Sequence, residues 1–218
     1  MAWKFNPFTK KQDWFELVTP PTDLWNDYIY LLYLTSQIHN WHYACSGSGS
    51  VTREYQYTRL MTGTTINSNV MIILGCETYP PLLSWSKKFK FKCGLRVDTI
   101  TNQWFFWARG NCEPPGTAEH IGFKIVNNIL YGTTADGVTE KTLNMGTIEE
   151  GEHLNLEVRW DGGTKAEFFR GGTKIGEITE NLPFAGDALW ILSHAELQNT
   201  AAENKWILLR YWEFWQER

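Results

Sequence analysis

The sequence predicts an all-β protein, an antiparallel sandwich with an N-terminal arm and room for one short helix, on three observations. Residues 153–179, HLNLEVRWDGGTKAEFFRGGTKIGEIT, alternate apolar with polar positions and are cut twice by glycine pairs. Leu154, Leu156, Val158 and Trp160 share one strand face, and the Asp161-Gly162-Gly163 and Gly171-Gly172 breaks supply the positive-φ residues of tight hairpins, so the segment reads as a three-strand meander. Similar short strands recur from residue 41 to the C terminus at roughly 8 to 12 residue spacing, which is the rhythm of a sandwich or barrel. The third observation is the load of 12 Trp, 9 Tyr and 12 Phe, residues that favour strands and fill large cores or interfaces.

Taken in order, residues 1–21 form the arm, 22–40 a connecting segment and 41–218 the sandwich domain. The arm, MAWKFNPFTKKQDWFELVTPP, carries Trp3, Phe5, Phe8, Trp14 and Phe15 without sustained periodicity. Aromatic residues at that density need a surface to dock on, either their own domain or a partner subunit. In the connecting segment, Thr22 or Asp23 can cap a short helix, whereas Tyr28, Tyr30, Leu32 and Leu34 alternate like a strand; the balance tips slightly to helix.

Val51 to Leu60 alternates as one strand after the Gly47 to Ser50 turn, and Asn69 to Cys76 has the length and apolarity of a buried strand. Lys87 to Asp98 sets Phe89, Phe91, Cys93, Leu95 and Val97 on one face against Lys88, Lys90, Lys92 and Arg96 on the other, a half-buried pattern. Gln103 to Arg109 follows through Thr99 to Asn102. Ile121 to Val126 and Ile129 to Thr133 flank an Asn127-Asn128 turn; Asp136-Gly137 turns the chain toward Lys141 to Met145. After the meander come Leu189 to His194 and the closing strand Lys205 to Phe214.

With 43% hydrophobic and 20% charged residues the chain can bury a core rather than stay disordered. A net charge of −4 with scattered Lys and Arg argues against a nucleic-acid partner. No window reaches the roughly 18 apolar residues of a membrane span, and no signal-peptide core opens the chain, so neither membrane insertion nor secretion is expected. Cys45, Cys76, Cys93 and Cys112 form no CxxC pair; the three that fall in predicted strands, Cys45, Cys76 and Cys93, are expected to be reduced and buried.

The order RLMTGTTINSNVMIIL, KFKFKCGLRVD, NQWFFWARG, IGFKIVNNILYGTT and HLNLEVRWDGGTKAEFFRGGTKIGEI resembles the concanavalin A-like lectin/glucanase family, which includes laminin-G-like modules. Trp160, Phe168, Phe169, Gly171 and Gly176 roughly fill that family's core hairpin pattern. The resemblance implies a jelly-roll sandwich, a fold that hosts unrelated tasks. The opening Lys4 to Thr9, KFNPFT, resembles the start of many bacteriophage virion proteins, although Lys10 stands where glycine often follows. Together these resemblances imply a non-enzymatic virion structural protein, a capsid decoration, head fibre or tail component assembled in a host cytoplasm. Its arm would be anchored on other virion subunits and its domain would self-associate. The alternative is a glycan-binding receptor-recognition module contacting host surface sugars; a weaker third reading is a glycan-active enzyme.

The chemistry narrows these. Glycosidases need two carboxylates on one face about 5 to 5.5 Å apart for retention, and no E-x-D-x-x-E strand occurs; Glu149, Glu150 and Glu152 fall at a predicted turn. No G-x-S-x-G occurs, and His39, His42, His120, His153 and His194 lack an activating context, His194 reading as a satisfied core histidine. No cofactor is expected. Ca²⁺ is left open, because Asp98, Asp136, Asp161 and Asp187 fall at strand ends, where turn formation is the simpler reading. In Trp104-Phe105-Phe106-Trp107 one aromatic pair must face away from the core unless the strand is covered on both sides. Trp104, Trp107, Arg109, Trp206 and Trp212 are therefore the candidate glycan or interface surface.

Overall fold

A computed structural model describes residues 2–5, 15–18, 28–34, 42–53, 57–75, 84–110, 117–184 and 191–217. In chain order the strands are β1 (Ala2–Phe5), β2 (Phe15–Val18), β3 (Tyr28–Leu34), β4 (His42–Cys45), β5 (Ser50–Arg53), β6 (Thr58–Met61), β7 (Asn69–Gly75) and β8 (Phe89–Val97). They continue as β9 (Gln103–Gly110), β10 (His120–Val126), β11 (Ile129–Ala135), β12 (Glu140–Thr147), β13 (Glu152–Trp160), β14 (Ala166–Arg170), β15 (Thr173–Ile178), β16 (Ile191–Asn199) and β17 (Trp206–Glu217). No helix occurs among the described residues.

Two antiparallel sheets form a jelly-roll-like sandwich. One has the order β12-β11-β10-β9-β16-β7-β4, the other β15-β14-β13-β8-β17-β6-β5. Inward-facing residues of the two sheets meet in an aromatic core: Phe91 of β8 lies 6.4 Å from Trp107 of β9 and 6.2 Å from Phe123 of β10, and Phe123 lies 5.9 Å edge-on from Phe168 of β14. The half-buried alternation expected of β8 is present, with Phe89, Phe91, Cys93, Leu95 and Val97 all in the core.

The meander is β13-β14-β15, in the register Val158↔Phe168 and Ala166↔Ile178. Its second turn uses Gly171 at φ 58° and Gly172 at φ 84°, the pair of positive angles that a side chain would oppose. Its first is closed by Asp161, whose Oδ1 accepts the amides of Gly163, Thr164 and Lys165 at 3.1, 2.8 and 3.0 Å. Asp136 closes the β11-β12 turn likewise, accepting from Val138 and Thr139, and those amides hold its carboxyl below the usual range. Both aspartates thus act as turn formers, and Asp98 pairs with Arg96 at 2.7 Å. Among the described residues no group of three or more His, Cys, Asp or Glu is set to hold a metal. Asp187 lies outside the described residues.

Three expectations are corrected. Tyr28–Leu34 is a strand, not a helix: it pairs with β17 from Tyr211↔Leu34 to Glu217↔Tyr28, so a partner edge decides what local pattern left open. Val51 to Leu60 is not one strand but the hairpin β5-β6, register Val51↔Leu60. Cys45 is exposed on β4, whereas Cys93 is buried as expected and Cys76 and Cys112 lie outside the described residues. The arm contains paired structure, β1 lying antiparallel to β2 from Ala2↔Val18 to Phe5↔Phe15. Trp3 and Phe5 fall on β1 and Phe15 on β2; Phe8 and Trp14 lie outside the described residues.

The closing strand carries a bulge that changes its phase. Against β8 it runs Ile207↔Val97 and Leu209↔Leu95, then Tyr211↔Gly94 and Trp212↔Cys93. Arg210 is the extra residue, so odd positions face inward before it and even positions after it. Trp212 therefore enters the core, stacked on Phe214 at 5.7 Å. Tyr211 turns outward across β8, where Gly94 admits it: a Cβ there would lie 2.3 Å from the Tyr211 ring.

Candidate functional site

Strand β9 decides which face of the seven-stranded sheet is polar. Phe105, Trp107 and Arg109 point inward and Trp104, Phe106 and Ala108 outward, so the expected outward aromatic pair is Trp104 and Phe106. Register extends this outer face across the sheet in rows: Gln198, Trp104 and Val126; then Glu196, Phe106, Lys124 and Tyr131; then His194, Ala108, Gly122 and Thr133.

Trp104 is half-buried, and its indole N–H donates to Gln198 Oε1 at 2.5 Å; Gln198 in turn donates to the Asn67 carbonyl at 3.2 Å. These bonds fix the ring's orientation. Beneath it lies a buried polar layer unusual for an outward sheet face. Glu196 Oε1 accepts from Asn69 Nδ2 at 3.0 Å, and its Oε2 lies 3.3 Å from His194 Nε2. Both Glu196 and His194 are 1% exposed, and neither ring nitrogen of His194 has a hydrogen-bond partner. The expectation of a satisfied core histidine is thus corrected: His194 is buried, but on the outer face, with the Glu196 carboxylate 3.3 Å from its Nε2.

Phe106 separates this cluster from a second, standing edge-on to His120 at 4.9 Å and to His194 at 6.1 Å. His120 Nδ1 meets the Ala118 carbonyl at 2.8 Å, and its Nε2 meets Thr133 Oγ1 at 3.0 Å. Thr133 donates to Glu140 Oε1 at 2.8 Å, and Glu140 Oε2 receives Lys124 at 2.7 Å. Burial lowers the pKa of His120 to about 4 despite the raising influence of Ala118 and Glu140, so the ring is neutral at pH 7. The neutral ring gives its one proton to the carbonyl, which can only accept, and the single hydroxyl proton of Thr133 then serves either Nε2 or Glu140 Oε1, not both at once.

Of the five candidate surface residues, the outer face of this sheet holds Trp104 alone. Trp107 is fully buried, donating to Ser193 Oγ at 2.8 Å. Arg109 is fully buried as well, its guanidinium 5.1, 4.1 and 4.7 Å from the rings of Trp85, Phe89 and Phe214, with Nη2 donating to Gln216 at 2.7 Å. Desolvation drives its pKa well down. Trp212 is in the core through the bulge. Trp206 is half-buried beneath Arg59 at 4.9 Å, but on the outer face of the opposite sheet. The five do not form one platform.

Sequence reading missed Asn69, Lys124, Tyr131, Glu196 and Gln198. The signal was the alternation His194, Glu196, Gln198 against Ala195 and Leu197 in a strand otherwise read as apolar. Together the face sets a fixed, half-buried indole beside half-buried amide, ammonium and phenol groups, Asn69, Gln198, Lys124 and Tyr131, while the Glu196 carboxylate is buried; a flat apolar surface with directed hydrogen-bond partners is the mixture that sugar recognition requires.

No protein-family model and no curated protein matches the sequence. Solved structures match the fold. A protein of unknown function from Shewanella oneidensis MR-1 superposes with a TM-score of 0.61 at 12% identity, over 88% of this chain and 87% of that one. A structure of botulinum neurotoxin type C, whose entry into cells depends on interaction with two ganglioside molecules, gives 0.57 at 11% identity over 85% of this chain and 47% of that one. The binding domain of botulinum neurotoxin DC in complex with rat synaptotagmin II gives 0.58 at 10% identity, again over 85% and 47%. This chain spans about half the length of those neurotoxin chains. At such identities the likeness shows the all-β sandwich fold and nothing finer.

Proposed function

We propose that this chain is a non-enzymatic, concanavalin A-like glycan-binding module that works without a cofactor and seats a sugar against Trp104 on the outer face of the seven-stranded sheet. The observation that carries this is the Trp104 ring, half-buried and locked by Gln198, with Asn69 on its own row and Lys124 and Tyr131 on the next. The ganglioside interaction of a neurotoxin sharing the fold supports the reading as an analogy. On a glycan array the full chain is expected to bind an oligosaccharide. Trp104→Ala should weaken that binding about tenfold, roughly 1.4 kcal/mol, while Trp206→Ala leaves it unchanged. A blank array, or a Trp104→Ala variant that binds like the wild type, overturns the reading.

A second reading concerns where the module is displayed. The KFNPFT opening supports attachment to a phage particle through residues 1–21, with other virion subunits and further copies of the chain as partners. Removing residues 1–21 is then expected to leave the sandwich folded by circular dichroism but absent from purified particles; undiminished incorporation contradicts it.

A further inference from the structure

The outer face of the eight-stranded sheet carries a different chemistry. Lys88, just before β8, and Lys90 and Lys92 within it point outward in one row, successive residues of the row standing roughly 7 Å apart along the extended strand. Lysines elsewhere are hydrogen-bonded to carboxylates, Lys124 to Glu140 at 2.7 Å, Lys141 to Glu180 at 2.7 Å and Lys174 to Glu167 at 2.8 Å. Those of the β8 row are not. Their nearest carboxylates lie at 3.9 Å for Lys88 and Glu217, 3.8 Å for Lys90 and Glu157, and 3.5 Å for Lys92 and Glu157, beyond hydrogen-bonding geometry. Glu157 is shared, moreover, among Lys90, Lys92 and Arg159, so it cannot neutralise all three.

The row also flanks a ring. The ammonium groups of Lys90 and Lys92 sit 4.6 and 5.3 Å from the centroid of the half-buried Trp215 indole, which the bulge in β17 turns outward. Thus a chain of net charge −4 presents a patch in which Lys88, Lys90, Lys92 and Arg159 stand against Glu157, Glu213 and Glu217, with Lys92 3.9 Å from Glu213.

We propose that this row, Lys88, Lys90 and Lys92 around Trp215, binds a linear acidic polysaccharide through its carboxylates. A duplex nucleic acid is the poorer fit. Its phosphates carry a charge about every 1.7 Å along the axis, and Glu157, Glu213 and Glu217, set between the lysines, would oppose so dense a charge. A polyuronate carries one carboxylate per sugar. Its charges can meet the ammonium groups, which Trp215 holds in place, while its hydroxyls donate to the interleaved glutamates. The surface is separate from the Trp104 face and stands whether or not that face binds sugar.

The test uses the full chain with polygalacturonate and its fully methyl-esterified form, which keeps the sugar backbone and removes the charge, measured by titration calorimetry at low salt. The acid form is expected to bind about tenfold or more tightly than the ester. A Lys88→Gln, Lys90→Gln, Lys92→Gln variant, shown folded by circular dichroism, should lose binding by a similar factor, and Lys141→Gln, an exposed lysine of the other sheet, should keep it. Equal binding of acid and ester, a triple variant indistinguishable from the wild type, or duplex DNA competing as well as polygalacturonate at equal charge concentration would each overturn the proposal.

Discussion

Replacing Trp160 with alanine is expected to remove about 4 kcal/mol of folding stability, a large share of the roughly 5–15 kcal/mol a folded domain possesses. Trp160 ends β13 at 2% exposure, packed edge-on against Trp85 at 6.5 Å and beside Phe89 at 6.4 Å. Its indole N–H donates to the Trp85 carbonyl at 2.6 Å. Alanine leaves a cavity among rigid rings and strands that buried carbonyl, two costs that add. Phenylalanine at the same position keeps most of the apolar volume and loses chiefly the hydrogen bond, so it should cost about 1–2 kcal/mol. Urea unfolding of the three proteins separates these terms; a loss below about 1.5 kcal/mol for Trp160→Ala contradicts the packing described for this end of the core.

Acidification is expected to have the next largest effect, through His120. The ring is held neutral in the folded chain, with its pKa lowered from 6.5 to about 4 by burial. Unfolding therefore takes up a proton anywhere between these values. Stability from this group is full above the unfolded pKa of about 6.5 and is lost as pH falls toward 4, by about 3 kcal/mol in all. Glu140 and Lys124 face the ring from β12 and β10, and His194 lies across Phe106 from it. Unfolding free energies at pH 7 and pH 4 should differ by about 3 kcal/mol less in His120→Gln than in the wild type, because paired carboxylates such as Glu167 lose their stabilisation equally in both. Identical pH dependence in the two proteins would show that His120 is not the neutral buried group described.

Much of the sandwich was legible because its strands bury one face and wet the other. In β8 every second residue from Phe89 to Val97 is apolar and every one of them is in the core. The meander was legible because its two turns demand glycine or aspartate. The failures have two causes, a partner distant in sequence and a turn or bulge with no residue signature. Tyr28 to Leu34 satisfies either period until β17 offers it an edge. Between β5 and β6 the sequence reads Glu-Tyr-Gln-Tyr, with no glycine or proline to announce a hairpin. The bulge at Arg210 leaves no mark in KWILLRYWEF, yet it exchanges the faces of Tyr211 and Trp212.

The site was legible only in part. Trp104-Phe105-Phe106-Trp107 is apolar on both faces, so alternation says that one pair points outward without saying which. Arg109 read as a surface cation, and no local feature announces that three aromatic rings from β8, β17 and the Trp85 turn enclose it. Asn69, Lys124, Tyr131, Glu196 and Gln198 come from four strands spread over 130 residues, and the sheet order alone gathers them.

The central claim is that a sugar docks against Trp104, and the twelve tryptophans of the chain allow it to be tested directly. An NMR titration with the oligosaccharide selected on the array, following the assigned indole N–H signals, is predicted to shift Trp104 as the sugar covers its ring, while Trp206 and Trp215 on the opposite sheet stay in place. Movement of Trp206 or Trp215 with Trp104 unmoved would contradict the account.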